Sequence, residues 1–64
     1  GKGYPDLTLV RGERLLFVEL KGEKGKVSVE QQDWLDALKG TGAEVYLWRP
    51  SDWDTIATTL GRAR

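Results

Sequence analysis

Apolar side chains cluster in short runs separated by polar, glycine-bearing breaks. Two runs, Asp6 to Arg11 and Arg14 to Lys21, are rich in leucine and valine and are parted only by Gly12-Glu13. A Gly-X pair between two such runs suits a two-residue type II′ turn and predicts a β-hairpin. The stretch Gly22-Glu23-Lys24-Gly25-Lys26 is polar and punctuated by glycine, and it predicts a loop. Ser28-Val29-Glu30-Gln31 has the spacing of a capping box, predicting a helix to about Lys39 that Gly40 and Gly42 end. Glu44 to Arg49 predicts a third strand, closed by Pro50. Ser51 is the expected N-cap of a second helix, in which Trp53, Ile56, Ala57 and Leu60 form one apolar stripe. The order is β-β-α-β-α, and the unit from Leu15 to Arg49 predicts a right-handed parallel crossover. The expected fold is α/β: a hairpin, then α-β-α, with helices packed on a mixed sheet.

The hairpin register sets the chemistry. With Gly12-Glu13 as the loop, Arg11 faces Arg14, and the pairs run back through Val10–Leu15, Leu9–Leu16, Thr8–Phe17 and Leu7–Val18. The next pair sets Asp6 against Glu19. Side chains alternate faces, so Thr8, Phe17 and Lys21 share the face of the two acids, while Leu7, Leu9, Leu16, Val18 and Leu20 form core on the other. Like charges directly opposed across a ladder are destabilising. Either a divalent cation between the carboxylates or the Lys21 ammonium would relieve the pair. The spacing leaves two readings open: a metal site, or a solvated sheet end with Lys21 as a surface ion-pair partner.

Composition narrows the chemistry. The chain has 64 residues and reads as a single domain over residues 1–64, small enough for its stability to be marginal. It contains no cysteine and no histidine, which excludes disulfides, cysteine-ligated zinc and a serine–histidine triad. Catalysis would have to use carboxylates, lysine, arginine, hydroxyls or a bound metal. Ten basic and ten acidic residues cancel, so no overall field attracts a polyanion. The longest apolar run, Leu15 to Val18, is far too short to span a membrane, and without a signal peptide the cytoplasm is the expected location. The chain has no methionine, and removal of upstream residues is expected.

Pro5-Asp6 followed by Glu19-Leu20-Lys21 resembles the signature of the PD-(D/E)XK nuclease superfamily. More narrowly, Gly3-Tyr4-Pro5-Asp6-Leu7, Glu19-Leu20-Lys21, Ser28-Val29-Glu30-Gln31 and Trp34 resemble the VRR-NUC domain, over Gly3 to about Trp48. The resemblance implies a metal-dependent nuclease acting on DNA. It implies that Asp6, Glu19 and the Leu20 carbonyl hold Mg2+ or Mn2+, and that Lys21 orients or activates the attacking water and offsets phosphate charge. For Gln31, one reading is structural, as the last member of the capping box. The family reading points it at the active site.

VRR-NUC domains usually carry a helix before the Pro-Asp pair that supplies a further acid, and only Gly1 to Tyr4 precede the pair here. Both sheet faces carry apolar residues, so a homodimer is expected. Resemblance to small junction resolvases implies branched or junction DNA as substrate. The competing class is a degenerate nuclease fold serving as a DNA-binding or dimerisation module. Lys24, Lys26 and Arg49 are candidate phosphate contacts, Trp34, Trp48 and Trp53 are expected core or interface anchors, and Arg62 and Arg64 form a basic tail without an assigned role.

Overall fold

The two-residue turn at Gly12-Glu13 fixes the sheet. In the computed structural model, which describes residues 2–62, Gly12 takes φ +59°, and none of the described non-glycine residues has positive φ. That combination fits type II′, whose twist matches the flanking strands. Strands β1 (Leu7–Arg11) and β2 (Arg14–Leu20) pair antiparallel from Arg11–Arg14 to Leu7–Val18, in the register expected from the turn. The ladder then stops, one pair short of Asp6–Glu19. The next hydrogen-bonded pair would be Pro5–Leu20, and Pro5 has no amide hydrogen to give. The Leu20 amide donates instead to the Asp6 carboxylate at 2.8 Å.

Helix α1 (Val29–Lys39) returns the chain so that β3 (Glu44–Trp48) runs parallel to β2, in sheet order β1-β2-β3. The central strand is covered on both faces, and Leu16, Phe17 and Val18 are all buried. Leu35 of α1 and Trp48 of β3 complete the buried apolar set. The ladder places Phe17 and Glu19 toward α1, and Arg14, Leu16 and Val18 toward helix α2 (Trp53–Gly61).

Arginine pins α2 to the sheet. Arg14 is 3% exposed, and its guanidinium donates to both Glu44 oxygens at 2.7 Å. The remaining nitrogen donates to the Thr59 and Arg62 carbonyls at 2.8 and 2.9 Å, and Arg11 donates to the Leu60 carbonyl. Thr59 and Leu60 lie in the last turn of α2 and Arg62 directly after it, where carbonyls run short of helical partners and favour a cation. Of the basic tail, Arg62 thus contributes a backbone acceptor, and Arg64 lies outside the described residues.

Three expectations are corrected. Ser51 does not cap α2. A 3-10 turn over Pro50–Asp52 precedes the helix, Ser51 donates to Glu23, and the Asp52 carboxylate accepts from the Arg49 amide at 2.8 Å. The apolar stripe is not seated either: Trp53 is 69% exposed, Leu60 and Ala57 are exposed, and Thr59 is the buried residue. The two arginines dock α2 through its carbonyls, and that docking, more than the stripe, sets its rotation. Finally, Leu7 and Leu20 are exposed, not core. The contacts of α2 lie at the turn end of its face, while Glu19 and Gln31 join α1 to the opposite end of the other face. Leu7 and Leu20 are therefore left bare on one side, and Val10 and Leu15 on the other. No helix among the described residues is long and apolar enough to cross a membrane.

Replacing Arg14 by alanine should release α2 while the hairpin register persists. In amide hydrogen exchange, protection over residues 53–61 is expected to collapse ahead of that in β2.

Candidate active site

Glu19 sits among the most buried positions of the central strand. It follows Val18 on the central strand, its register partner on β3 is Leu47, and α1 closes over its face. The residue is 2% exposed. One carboxylate oxygen, Oε2, accepts from Gln31 Nε2 at 2.8 Å and lies 3.7 Å from Lys21 Nζ. The other, Oε1, is buried and makes no hydrogen bond. Burial pushes the Glu19 carboxyl above its usual range, and the Asp6 charge adds to the rise. Lys21 and the Asp6 amide pull the other way with smaller effect. Asp6 itself is exposed, at the bend before β1, and is held by the Leu20 amide.

Gln31 joins the helix start to this carboxylate. Its side-chain oxygen accepts from the Ser28 amide at 2.9 Å, and its own amide donates to Ser28 Oγ at 3.1 Å, which completes the capping box. The same side chain then gives its NH2 group to Glu19. The structural and the site reading of Gln31 are therefore both realised in one side chain. The segment before Pro5 braces the same turn. Gly3, at φ +82°, packs so tightly that an added Cβ would lie 2.8 Å from the Gln31 amide nitrogen. Tyr4 meets Trp34 edge-on at 4.9 Å and Phe17 at 6.3 Å, and Trp34 Nε1 donates to the Lys2 carbonyl at 3.0 Å. Trp34 is thereby a clamp on this segment, whereas Trp53 stands in solvent.

The structure thus brings together Asp6, Glu19, Leu20, Lys21 and Gln31. Lys24 and Lys26 stay exposed, and Arg49 is committed elsewhere: its Nη1 donates to the carbonyls of Gly22, Glu23 and Gly25. The role of Arg49 escaped the sequence reading. The signal lay in the parallel register, since Leu20 faces Trp48 and the next residues along are Lys21 and Arg49. Among the described residues, no group of three or more acidic side chains is placed to hold a metal together. The orphaned Glu19 oxygen nevertheless fits a hard cation, because such ions take carboxylate and carbonyl oxygens and keep water in their remaining positions.

A raised carboxyl has a definite consequence for stability. The folded state holds the Glu19 proton more tightly than the unfolded state, so its contribution is complete at acid pH and is lost as pH rises through the folded value. In thermal melts without added metal, Glu19→Gln should flatten this loss and melt above the wild type at neutral pH. An excess of Mn2+ should raise the wild-type melt, with about 2.7 kcal/mol gained at ~100 times Kd, and leave the variant unmoved.

Comparison with known proteins places this arrangement in a family. The model of the VRR-NUC domain matches residues 1–52, a span that holds every residue of the site. No curated protein and no solved structure matches the chain significantly. With most of its length covered by that match, the chain belongs to the VRR-NUC domain family and is a nuclease-type domain.

Proposed function

We propose that the chain is a Mg2+- or Mn2+-dependent nuclease that hydrolyses phosphodiester bonds in DNA. The observation that carries this is the Glu19 carboxylate, buried beside Asp6 with one oxygen unpartnered. A buried acceptor without a partner costs a few kcal/mol, which a domain this small does not sustain without compensation. A divalent cation at that oxygen supplies the compensation. Asp6 and Glu19 would hold it, with the Leu20 carbonyl as a third oxygen. When bound, such an ion polarises a phosphoryl oxygen and lowers the pKa of its water.

The protein's own side chains divide the remaining work. Gln31 holds Oε2 and leaves Oε1 without a hydrogen-bond partner. Lys21 presents its ammonium 3.7 Å from the same carboxylate, where it orients the attacking water and takes up phosphate charge. Neither histidine nor cysteine is needed, in keeping with a chain that has none.

A second reading has one observation in its favour: the absence of a third acid among the described residues fits a degenerate fold retained for DNA binding or dimerisation. Cleavage separates the two. Lys21→Ala is expected to lower kcat on DNA by about 10²–10⁴-fold with Mn2+ present while the chain still folds and melts cooperatively. Wild-type protein that binds Mn2+ and DNA without cutting would establish the second reading.

The uncovered apolar residues support self-association. Leu7, Leu20, Val10 and Leu15 are all exposed, and burial of apolar surface returns about 25 cal/mol per Å². Two-fold pairing is the commonest arrangement and would set two sites at a fixed spacing, suited to paired cuts on a branched or junction DNA. Sedimentation at micromolar concentration is expected to show a dimer. A single species at 7.2 kDa would exclude it.

A further inference from the structure

The turn that follows Lys21 is clamped by two side chains with no other part in the site. The Gly25 amide donates to the Gly22 carbonyl at 3.1 Å and closes the turn. Three carbonyls of that turn then converge on a single guanidinium nitrogen. Arg49 Nη1 donates to Gly22, Glu23 and Gly25 at 2.7, 3.2 and 2.8 Å. From the same end of β3, the Ser51 amide and hydroxyl donate to the Glu23 carboxylate at 2.6 and 3.0 Å. Gly22 and Glu23 are exposed, so water would satisfy their carbonyls without any arginine. What the clamp adds is shape.

That shape bears on Lys21. The open side of Gly25 faces the lysine stem: a Cβ built there would lie 3.5 Å from Lys21 Cδ. The Lys21 side chain is only 17% exposed, although a lysine at the end of a strand is free to swing into solvent. Its backbone amide is tied to the Trp48 carbonyl at 3.0 Å, so both lysine and arginine issue from the same sheet end. Lysine is a point charge on a flexible four-carbon stem, and only walls can fix where its ammonium sits. The turn is one wall and the Glu19 carboxylate is the target.

We propose that Arg49, seconded by Glu23, is a positioning residue that aims the Lys21 ammonium at Glu19 by holding the Gly22–Gly25 turn against the lysine stem. The catalytic part of this inference rests on Lys21 acting as proposed above. The geometric part does not.

The test compares wild type, Arg49→Ala, Arg49→Lys, Glu23→Ala and Gly25→Ala. Three readouts are used: heteronuclear NMR of the lysine ammonium groups without metal, calorimetry with Mn2+ alone, and cleavage of a linear duplex with Mn2+. Arg49→Ala should melt cooperatively and bind Mn2+ as the wild type does, while the Lys21 ammonium signal moves toward that of a free lysine. Its kcat should fall by about 10²-fold with little change in KM, as for a group displaced by about 1 Å. Arg49→Lys should recover part of the loss, and Glu23→Ala should show a milder form of it. Gly25→Ala needs no left-handed backbone and sets a methyl against Cδ, so it should keep the Lys21 signal ordered. In a Lys21→Ala background, Arg49→Ala should cause no further loss.

An unchanged Lys21 signal in Arg49→Ala would overturn the inference, as would losses that simply multiply in the double variant. Should Arg49→Ala fail to fold, an unchanged signal in Glu23→Ala would overturn it equally. A wild-type chain that neither binds Mn2+ nor cuts DNA would sink the nuclease reading instead, and the NMR comparison would still decide the geometry.

Discussion

A carboxylate buried on the central strand is the constraint around which this small domain is arranged. Glu19 pairs with Leu47 of β3 and has α1 above it, and its carboxylate is provided with one side-chain hydrogen bond and one ammonium, both on the same oxygen. Its second oxygen makes no hydrogen bond. Burial disfavours the charged form and the nearby Asp6 disfavours it further, so the group is held in the protein at a loss of stability. Stability spent in this way in so short a chain is the ground on which the proposed metal site rests.

Much of the remaining structure serves that position. The hairpin turn brings Asp6 beside Glu19, and proline at residue 5 ends the ladder so that the Asp6 carboxylate, not a backbone carbonyl, meets the Leu20 amide. The capping box that starts α1 also delivers Gln31 to Glu19, so helix initiation and carboxylate orientation depend on one side chain. Gly3, Tyr4 and Trp34 brace the same helix turn from outside. At the other end of the sheet, Arg14 holds α2 by its C-terminal carbonyls and is itself anchored by Glu44 of β3, to whose carboxylate Tyr46 donates at 2.6 Å. The two helices thus reach opposite faces at opposite ends. The apolar residues left bare are Leu7 and Leu20 on one face and Val10 and Leu15 on the other.

The features legible in the sequence are those governed by local rules. A Gly-X turn fixes register, register fixes which side chains share a face, and the Ser-x-x-Gln spacing fixes the helix start, so the hairpin pairs from Arg11–Arg14 to Leu7–Val18 and the course of α1 were readable. The Glu19–Gln31 bond was within reach because Gln31 lies on the helix face turned to the sheet. Features that depend on distant backbone were not readable. Ser51 has a good N-cap side chain, but Glu23, 28 residues earlier, competes for it. Trp53 lies on a good amphipathic stripe, but Arg11 and Arg14 dock α2 by its carbonyls and leave the indole in solvent. Arg49 looked like a free cation for phosphate because nothing local shows that three turn carbonyls will surround it.

The central claim is that the unpartnered oxygen of Glu19 faces a divalent cation shared with Asp6. Crystals grown with Mn2+ at neutral pH, measured near the manganese absorption edge, test it most directly. The expected result is one anomalous peak in contact with Glu19 Oε1 and an Asp6 oxygen, absent from Glu19→Gln crystals. A Glu19 side chain with no metal beside it, its Oε1 bonded only to an ordered water or carrying a proton, would contradict it.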